Sequence, residues 1–509
     1  MRKQTKLVAV LSAAALLAIG ASMTSFAASK GWTKEDGEWV YLDSDGERVT
    51  EEWKKSGSNY YWLDEDGVMA TDQLIEDEDD HYYVDTNGVR VTNQWRSVEN
   101  EDDDEVDGKE VDVLWYYLGS GGRAYKASND NTYKIATING KKYFFDSDGH
   151  MVSGWTVNGS DIYYLGDENE GWAVTGWQYL SIDDDFEEIV GTAPDGDYES
   201  DEWFNFQSSG KARHADDGAI LRKYVGNAYY AFDENGVMVS DWSPATGSES
   251  GASYYDIDNG NQAKGWIYTY ADIDEGGDEK WFYMVSSDDN SAFNAGGSAS
   301  NGNSAIKWVN GDDVDSTKSK VAAKVIKGKT YLFDGKGQML TGVYSWDEPV
   351  NRAGSSSLAA GIYYFNKAAD LTHECGQMET GKTTISYDGE NYDYYFAGTG
   401  AAYTNILKDS SLYDGYGVKV TADDGNSYSV INVDDDKFRG EAVEIKGAKY
   451  ATGTIIVTTS GKMKKSGTVT IDGVKYHLDN YFVTEAYDKE DKKKENNLTE
   501  LFEAVTKAE

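Results

Sequence analysis

A phrase of one aromatic triplet, a short acidic turn and a glycine recurs along this chain. The segments 39–46, 60–67 and 81–88 carry it, and their closing glycines Gly46, Gly67 and Gly88 lie 21 residues apart. A fixed short period is typical of repeat architectures, in which one unit cannot bury its own apolar face and must stack on its neighbours. The pattern argues against one large catalytic domain and favours a long binding surface.

Each phrase has the chemistry of a strand followed by a turn. Side chains in an aromatic triplet point alternately to the two faces of a strand. In the Asp-x-Asp-Gly ending, Asp accepts backbone hydrogen bonds and Gly tolerates a positive φ. The chain has 38 Tyr and only 3 Pro, which suits many short strands. The sequence therefore predicts an all-β fold, a solenoid of stacked β-hairpin repeats.

Composition shifts divide the chain into five segments. Residues 1–27 predict a secretory signal peptide, with an apolar run too short for a membrane anchor. Residues 28–310 form the main repeat array, 311–405 hold divergent repeats, and 406–480 form a degenerate β-repeat tail. Residues 481–509 are a charged end, in which Leu498, Leu501, Phe502 and Val505 share one face of a predicted short amphipathic helix. After signal removal no segment is long and apolar enough to span a membrane.

Acidic insertions interrupt the array at residues 99–107, 183–202 and 272–279. We expect them to form extended loops on one rim, since insertions in repeat proteins map to loops. The whole chain carries 90 Asp and Glu against 47 Lys and Arg, a formal charge of −43. Nucleic acid is excluded as a partner, because phosphate contacts require Lys and Arg.

Residues with catalytic or metal-binding chemistry are scarce. His373-Glu374-Cys375 is the one place resembling a nucleophile with a base, and it lies in a very acidic chain that disfavours a thiolate. The turns 43–46 and 146–149 resemble calcium loops but lack the later ligands and the closing Glu. Hairpin turns explain them better. The sequence predicts no enzyme, no catalytic residue, no metal site and no cofactor.

The Gly31-Trp32 pair, the segment 39–46 and the segment 143–155 together resemble the choline-binding, or cell-wall-binding, repeat family. Residues 331–400 are similar to the tails of clostridial surface proteins. The resemblance covers most of residues 31–405. It implies a left-handed stack of β-hairpins in a secreted surface protein of a Gram-positive, clostridia-like bacterium.

In that family choline sits between consecutive hairpins, in a cage of aromatic rings that attract the quaternary ammonium. The Trp after Gly, the first aromatic of the triplet and an aromatic from the next unit form the cage. The resemblance makes Trp32, Trp39 and Trp53 the best-matched cage, with Trp308 a possible member of another. Lys142 in the first triplet position would repel choline. The implied ligand-binding residues are Trp32, Trp39, Trp53, Tyr60, Trp95, Trp115, Trp177, Trp203, Trp266 and Trp281.

The implied function is non-covalent attachment to choline-bearing teichoic acid or another cell-wall polymer, at the cell wall or extracellular surface. Two alternatives remain open on the residues alone. Sugars also stack on aromatic faces, so the chain could be a lectin or adhesin for glucan or host glycans. A third interpretation is a purely structural solenoid, whose large rings are buried core.

Overall fold

The computed structural model describes residues 30–101, 105–129, 132–194, 198–243, 253–270, 279–285, 304–307, 319–367, 373–387, 389–423, 425–488 and 496–497. The predicted signal peptide, Trp308 and the predicted helix at 498–505 lie outside these residues. The chain divides into two compact units, residues 1–214 and 215–509. The boundaries predicted from composition at 310/311 and 405/406 stay predictions.

The first unit is a series of antiparallel two-stranded hairpins, as the repeat predicts. The pairs are β1 with β2, β3 with β4, β5 with β6, β7 with β10, β8 with β9, β11 with β12, β13 with β14 and β15 with β16. The elements are β1 (Gly31–Glu35), β2 (Glu38–Leu42), β3 (Glu52–Ser56), β4 (Asn59–Leu63), β5 (Gln73–Asp77), β6 (Asp80–Val84), β7 (Gln94–Glu99), β8 (Glu105–Val106), β9 (Lys109–Glu110), β10 (Val113–Leu118), β11 (Lys134–Ile138), β12 (Lys141–Phe145), β13 (Trp155–Asn158), β14 (Asp161–Tyr164), β15 (Gly176–Ser181), α1 (Asp184–Ile189) and β16 (Asp201–Phe206).

Each hairpin closes through a turn upstream of the aromatic triplet. Between β1 and β2, Asp36 and Gly37 have φ of 52° and 97°, the signs of a type I′ turn, whose twist matches that of the paired strands. Asn139 and Gly140 repeat this between β11 and β12, with φ of 51° and 82°. The first strand begins with the Gly-Trp pair in β1 and β15, and the second strand of each unit carries the triplet.

The Asp-x-x-Gly segment is the connector that leads to the next hairpin. Asp64 Oδ1 accepts the N–H groups of Asp66 and Val68 at 3.0 and 2.8 Å, and Gly67 adopts a φ of 72°. This confirms the turn hydrogen bonds and the positive φ predicted from the sequence, but the segment links consecutive hairpins, whereas the sequence pattern was interpreted as a hairpin turn. The aspartates with the same pair of backbone hydrogen bonds are Asp43, Asp85, Asp146, Asp233, Asp334 and Asp414.

Consecutive hairpins are joined by a backbone hydrogen bond from the connector to the preceding hairpin. The N–H of Met69 donates to the carbonyl of Trp39 at 2.8 Å, and the N–H of Met151 donates to that of Trp115 at 2.8 Å. The second and fourth residues of each phrase are buried between hairpins, as with Val40 and Leu63, both fully buried. Apolar burial between hairpins therefore supplies most of the stacking energy.

In their described parts the insertions at 99–107 and 183–202 are folded, so the expectation of extended loops is wrong for those parts, and the insertion at 272–279 lies almost wholly outside the described residues. Residues 183–194 contain α1, which is capped by Asp183. Phe186 is the one buried residue of α1, and its ring centroid lies 4.8 Å from that of Trp155. In the other insertion, Tyr133 Oη donates to Asp107 at 2.6 Å. Lys109 Nζ donates to the carbonyl of Ser153 at 2.7 Å. Phe186 anchors the insertion at 183–202, and Asp107 with the neighbouring Lys109 anchors the other insertion.

The second unit begins with the same hairpins and ends in wider sheets. A seven-stranded sheet has the order β27-β26-β25-β24-β28-β30 with β29 on β25, and a six-stranded sheet has β35-β38-β41-β40-β39 with β42 on β41. The strands are β17 (Leu221–Val225), β18 (Ala228–Phe232), β19 (Met238–Val239), β20 (Asp241–Ser243), β21 (Ser253–Tyr255), β22 (Gly265–Tyr270), β23 (Glu279–Met284), β24 (Ser304–Lys307), β25 (Ser319–Ile326), β26 (Lys329–Asp334), β27 (Met339–Leu340), β28 (Gly342–Trp346), β29 (Arg352–Ala353), β30 (Gly361–Phe365), β31 (Gly381–Tyr387), β32 (Glu390–Phe396), β33 (Ile406–Lys408), β34 (Ser411–Tyr413), β35 (Tyr428–Asn432), β36 (Val443–Ile445), β37 (Ala448–Tyr450), β38 (Thr454–Thr458), β39 (Gly467–Ile471), β40 (Val474–Asp479), β41 (Phe482–Asp488) and β42 (Asn496–Asn497).

The main core of the tail, residues 406–488, is largely aliphatic, with Phe438, Tyr481 and Phe482 as its buried rings. Phe438, in the short 3-10 helix Asp436–Phe438, is fully buried among Leu412, Val443, Ile455 and neighbouring apolar side chains. The four-stranded sheet β34-β33-β36-β37 includes a parallel pairing of Ile406 with Glu444. The described residues are thus almost wholly β, as the sequence predicts, but the tail is a set of shared sheets.

Candidate ligand-binding cages

Aromatic cages form at the junctions between consecutive hairpins. The Trp at the second position of the first strand and the first triplet residue lie on paired strands of one hairpin, as Trp95 and Trp115 do on β7 and β10. The second triplet residue of the next hairpin faces them from the opposite side. A connector side chain from that next hairpin completes the group.

The junction of Trp95 is a complete cage. Its ring centroid lies 6.5 Å from that of Trp115, at 79°, and 4.8 Å from that of Tyr143, at 57°. Phe145 stacks on Trp95 at 5.7 Å, and Met151 packs in the same cluster. Trp95 and Trp115 stay partly exposed, whereas Tyr143 is buried. The long insertion between β7 and β10 leaves this pair of rings intact.

The junction of Trp266 repeats this geometry in the second unit. Its ring lies 6.2 Å from that of Trp281, at 88°, and 4.7 Å from that of Tyr331, at 64°. Phe333 stacks on it at 5.9 Å, and Met339 is part of the cluster. Two junctions far apart in sequence thus build the same cage within about half an ångström in every ring distance.

The first junction is a more open version. Trp32 contacts Tyr61 of the next hairpin at 5.3 Å, and Met69 bonds through its N–H to the carbonyl of Trp39. Lys34 Nζ lies 5.4 Å from the ring of Trp39. Among the described ring contacts, none joins Trp53 to Trp32 or Trp39. The predicted set Trp32, Trp39 and Trp53 is therefore not brought together, and Tyr61 takes the place assigned to Trp53.

Trp53 and Tyr60 belong to the second junction. Trp53 packs edge-on against Trp62 of its own hairpin at 5.3 Å and against Tyr82 of the next at 5.2 Å. A cation from this chain, Arg90, lies over Trp53 and Tyr60. The second junction thus has the rings of a cage and a guanidinium in contact with them.

Trp177 and Trp203 also meet, with ring centroids 6.4 Å apart at 82°, although α1 and its flanking residues separate them in sequence. Trp203 remains 42% exposed and is also in contact with Tyr179 at 5.1 Å. The pair therefore retains two perpendicular rings with an accessible face.

Lys142 occupies a first triplet position, as the sequence predicts. Its ammonium donates to the carbonyl of Ser209 and lies 5.9 Å from the ring of Tyr163. A cation fixed there disfavours a second one by like-charge repulsion.

The acidic turn at 146–150 brings three possible ligand atoms together. Asp146, Asp148 and His150 place carboxylate and imidazole atoms within 4.8 Å of one another. The same atoms serve the turn, since His150 bonds Asp146 through Nδ1 at 3.1 Å and Tyr116 Oη through Nε2 at 2.9 Å. Turn hydrogen bonds account for the cluster.

Cys375 packs at the edge of the cluster formed by Tyr331, Phe333 and Met339. The side chains of His373 and Glu374 lie outside the described residues, so the thiol is placed by packing in a region of large apolar side chains.

Sequence reasoning missed the second triplet residue of the next hairpin, which supplies the third ring. These residues are Tyr61, Tyr82, Tyr143 and Tyr331. The period-2 alternation of a strand was the available signal, since it places the first and second triplet residues on opposite faces. A hairpin stacked on both sides must therefore offer its first residue to one neighbour and its second to the other.

The first and second junctions, together with Trp95 and Tyr143 of the Trp95 cage, lie in segments that match known repeat models. A model of the choline-binding repeat matches residues 49–95 and 134–178, and one of the putative cell wall binding repeat matches residues 30–47. These three segments are choline-binding and putative cell wall binding repeats. The resemblance to this repeat family is confirmed for these segments, whereas the similarity of residues 331–400 to clostridial surface proteins stays a prediction.

Among curated proteins, Glucosyltransferase-S of Streptococcus mutans serotype c is 25% identical over 297 residues, which is 57% of this chain and 16% of the relative. Solved structures are also similar. The modular autolysin LytC of Streptococcus pneumoniae is 14% identical, with a TM-score of 0.32, covering 73% of this chain and 52% of its own. Choline binding protein F of the same species is 18% identical, with a TM-score of 0.26, covering 78% of this chain and all of its own.

This chain spans about one sixth of the glucosyltransferase and about half of the autolysin. Within the described residues, no helix is long and apolar enough to cross a bilayer.

Proposed function

We propose that this chain is a non-catalytic, secreted surface protein that attaches to choline-bearing cell-wall polymers through its junction cages. The observation that carries the proposal is the repeated cage of two Trp, one Tyr and one Met, at Trp95 and again at Trp266. A quaternary ammonium has no N–H to satisfy and is attracted by ring faces, which a set of perpendicular rings supplies from several sides.

Several weak cages on one chain would act together on a polymer. Once one cage is filled, the next choline on the same polymer binds at a high effective concentration. The acidic surface would draw a cationic ligand toward the array by long-range attraction, an effect that salt weakens. The proposal thus joins multivalent binding to the charge of the chain.

A glycan ligand is the second candidate, and one observation favours it. Trp32 and Trp115 bury indole Nε1 atoms that have no hydrogen-bond partner in the described part of the chain. A buried donor without a partner is costly, and a sugar hydroxyl could accept from it. The trimethylammonium end of choline could not, although the choline hydroxyl could.

Retention on choline resin tests the proposal. The wild-type chain should bind and should be eluted by free choline, whereas elution by soluble dextran alone would favour the glycan candidate. Trp115→Leu and Trp281→Leu keep an apolar side chain and remove the ring quadrupole, so each should lower the choline stoichiometry measured by calorimetry by one site. Tyr387→Ala removes a ring that is 48% exposed and outside the cages, and should change nothing.

Circular dichroism separates loss of ligand binding from loss of fold. If Trp115→Leu unfolds the array, Trp115→Phe keeps a ring and should restore folding and most of the binding. The proposal fails if the folded Leu variants bind choline as tightly as the wild type. It also fails if neither choline nor choline resin binds the wild-type chain.

A further inference from the structure

The connector position two residues after each turn glycine holds a side chain that enters the junction. It is methionine in several units, namely Met69, Met151, Met339 and Met378, each bridged to the last residue of its own triplet strand. In the third unit this position is Arg90, bridged to Val84. The Arg90 N–H donates to the carbonyl of Tyr60 at 2.9 Å, the same bond that Met69 makes to Trp39.

The glycine of the following turn closes over this side chain. A Cβ built on Gly122 would lie 2.8 Å from Cδ and Nε of Arg90, and one built on Gly171 would lie 2.2 Å from Sδ of Met151. Gly88 packs in the same way on Met69, with 2.9 Å to Sδ. Arg90 therefore occupies the same position as the methionines, covered by the glycine of the following turn.

At that position the guanidinium of Arg90 lies among the rings of the second junction. Its Cζ is 4.2 Å from the ring centroid of Tyr60, 5.1 Å from that of Trp53 and 5.6 Å from that of Tyr82. All three distances fall within the range of about 6 Å at which a cation is attracted to a ring face. These rings correspond to Trp115, Trp95 and Tyr143 in the complete cage.

No carboxylate pairs with this guanidinium among the described residues. Its Nε is buried without a hydrogen-bond partner, and burial lowers the pKa of Arg90 from its usual value. Arg48, at the same position two units earlier, instead pairs with Glu35 at 2.9 Å and donates to the carbonyl of Asp66. Arginine at this position thus has two environments in one chain, and only Arg90 depends on ring faces.

We propose that Arg90 is an internal cationic occupant that closes the second junction to choline. Guanidinium is planar and weakly hydrated, so it stacks on ring faces without losing as much hydration as an ammonium would. With its positive charge held at the centre of the rings, a second cation is excluded both by volume and by repulsion. This inference rests on the proposed function of the other junctions, and it predicts that the chain binds fewer cholines than its ring sets suggest.

The junction that follows the hairpin of β17 and β18 also holds an arginine over a ring, but at a different position of the repeat. Arg222 stands where the Trp after Gly is found elsewhere, and its Cζ lies 3.6 Å from the ring centroid of Tyr229. Its Nε donates to Oε1 of Gln262 at 2.8 Å, and Gln262 is the connector residue of the next hairpin. Replacing the cage Trp and Met by Arg and Gln again places a cation of the chain over the first triplet ring.

The experiment is to open the junction and count sites. Arg90→Met installs the methionine found in the complete cages, and calorimetric titration with choline should then show one more site than in the wild type. Arg48→Met is the matched control, with the same substitution at the same position outside the ring set, and should leave the stoichiometry unchanged. A wild-type chain that binds choline and an Arg90→Met chain with the same stoichiometry would overturn the inference.

The two proposals fail in different ways. If the wild type binds no choline but Arg90→Met binds one, the inference stands and the proposed attachment falls. If neither binds, both fall.

A measurement on the unmodified protein covers the case in which Arg90→Met does not fold. In arginine-labelled wild-type protein, the Arg90 Hε resonance should be shifted upfield by the surrounding rings. It should stay there at saturating choline. An Hε resonance at its free-chain position, or one that returns to that position as choline is added, would contradict the closed junction.

Discussion

The array of residues 30–206 and the tail of residues 406–488 share a connector but join their hairpins differently. Asp64 and Asp414 each accept two backbone N–H groups in the same turn. In the array the hairpins stay two-stranded, and rings fill the space between them. In the tail, strands pair across hairpins into four- and six-stranded sheets.

This difference shows where an aromatic cage can form. A ring face is available to a ligand only where neighbouring hairpins meet through side chains with one backbone hydrogen bond between them. When strands share a sheet, their separation is fixed at about 4.8 Å and backbone groups occupy the space. The core of the tail then combines aliphatic side chains such as Ile455 and Val457 with single rings such as that of Phe438. Binding chemistry and lateral sheet formation are thus alternatives at each junction.

The largest expected effect tests whether the two regions are independent. Phe438→Ala in the tail and Phe144→Ala in the array each empty a fully buried site, and each should lower the free energy of unfolding by about 3–5 kcal/mol. Because only the array holds the cage at Trp95, choline retention should fall for Phe144→Ala alone. Hydrogen exchange would show loss of protection in the matching region.

Equal loss of choline retention in both variants would contradict this separation. It would mean that the tail contributes to binding or that the chain unfolds as one cooperative unit.

The local parts of the fold could be predicted from sequence, and the non-local parts could not. The Asp-x-x-Gly connector and the hairpin need contacts within a few residues, so residue types report them directly. The parallel pairing of Ile406 with Glu444 joins segments almost forty residues apart and leaves no local mark. Alpha helix α1 had a visible signal, because Asp183 precedes a short acidic first turn, the usual N-cap chemistry.

The cage residues were predicted by type but not by grouping. Trp95 with Trp115 and Trp266 with Trp281 meet as the resemblance implies, because both members lie on one hairpin. The third ring depends on which face the next hairpin presents. At the first junction the face presented by the next hairpin places Tyr61, and not Trp53, beside Trp32. The contact of Arg90 with the rings of the second junction depends in the same way on how the hairpins stack.

The next largest effect concerns the pH dependence of stability at the connector aspartate of the tail, Asp414, compared with Asp64 in the array. Burial raises the pKa of Asp414 to about 7, although the N–H groups of Tyr416 and Val418 donate to it and lower it in part. The folded pKa then exceeds the unfolded value of 3.8. The folded tail holds a proton that the unfolded chain has lost, so stability should fall as pH rises from about 4 to 7 and remain lower above 7.

Asp414→Asn keeps an acceptor oxygen and removes the charge. It should abolish this part of the pH dependence, a change on the order of a few kcal/mol between pH 4 and pH 8. Denaturant unfolding of the tail at several pH values measures it, with Asp64→Asn in the array as the matched control. A wild-type tail that gains stability as pH rises, relative to Asp414→Asn, would reverse the sign and contradict the burial of this carboxyl.

The smallest expected effect compares two turn glycines with positive φ. Gly447 in the tail has a φ of 86° and no atom within 4 Å of a built Cβ. Gly447→Ala should therefore cost only the left-handed backbone strain, about 1 kcal/mol. Gly88 in the array has a φ of 75°, and its built Cβ lies 2.9 Å from Met69 and 3.0 Å from the carbonyl of Ala70.

Gly88→Ala should cost about 1 kcal/mol more than Gly447→Ala, because the backbone carbonyl cannot move aside as the methionine can. It should also weaken choline binding slightly, since Met69 lies at the junction of Trp39 and must shift. Thermal unfolding and choline titration of the two variants measure both effects. If Gly447→Ala proves as costly as Gly88→Ala, close packing of connectors on the next turn is not what distinguishes the array. If Gly88→Ala leaves choline binding unchanged, Met69 is a spacer between hairpins and no part of the cage.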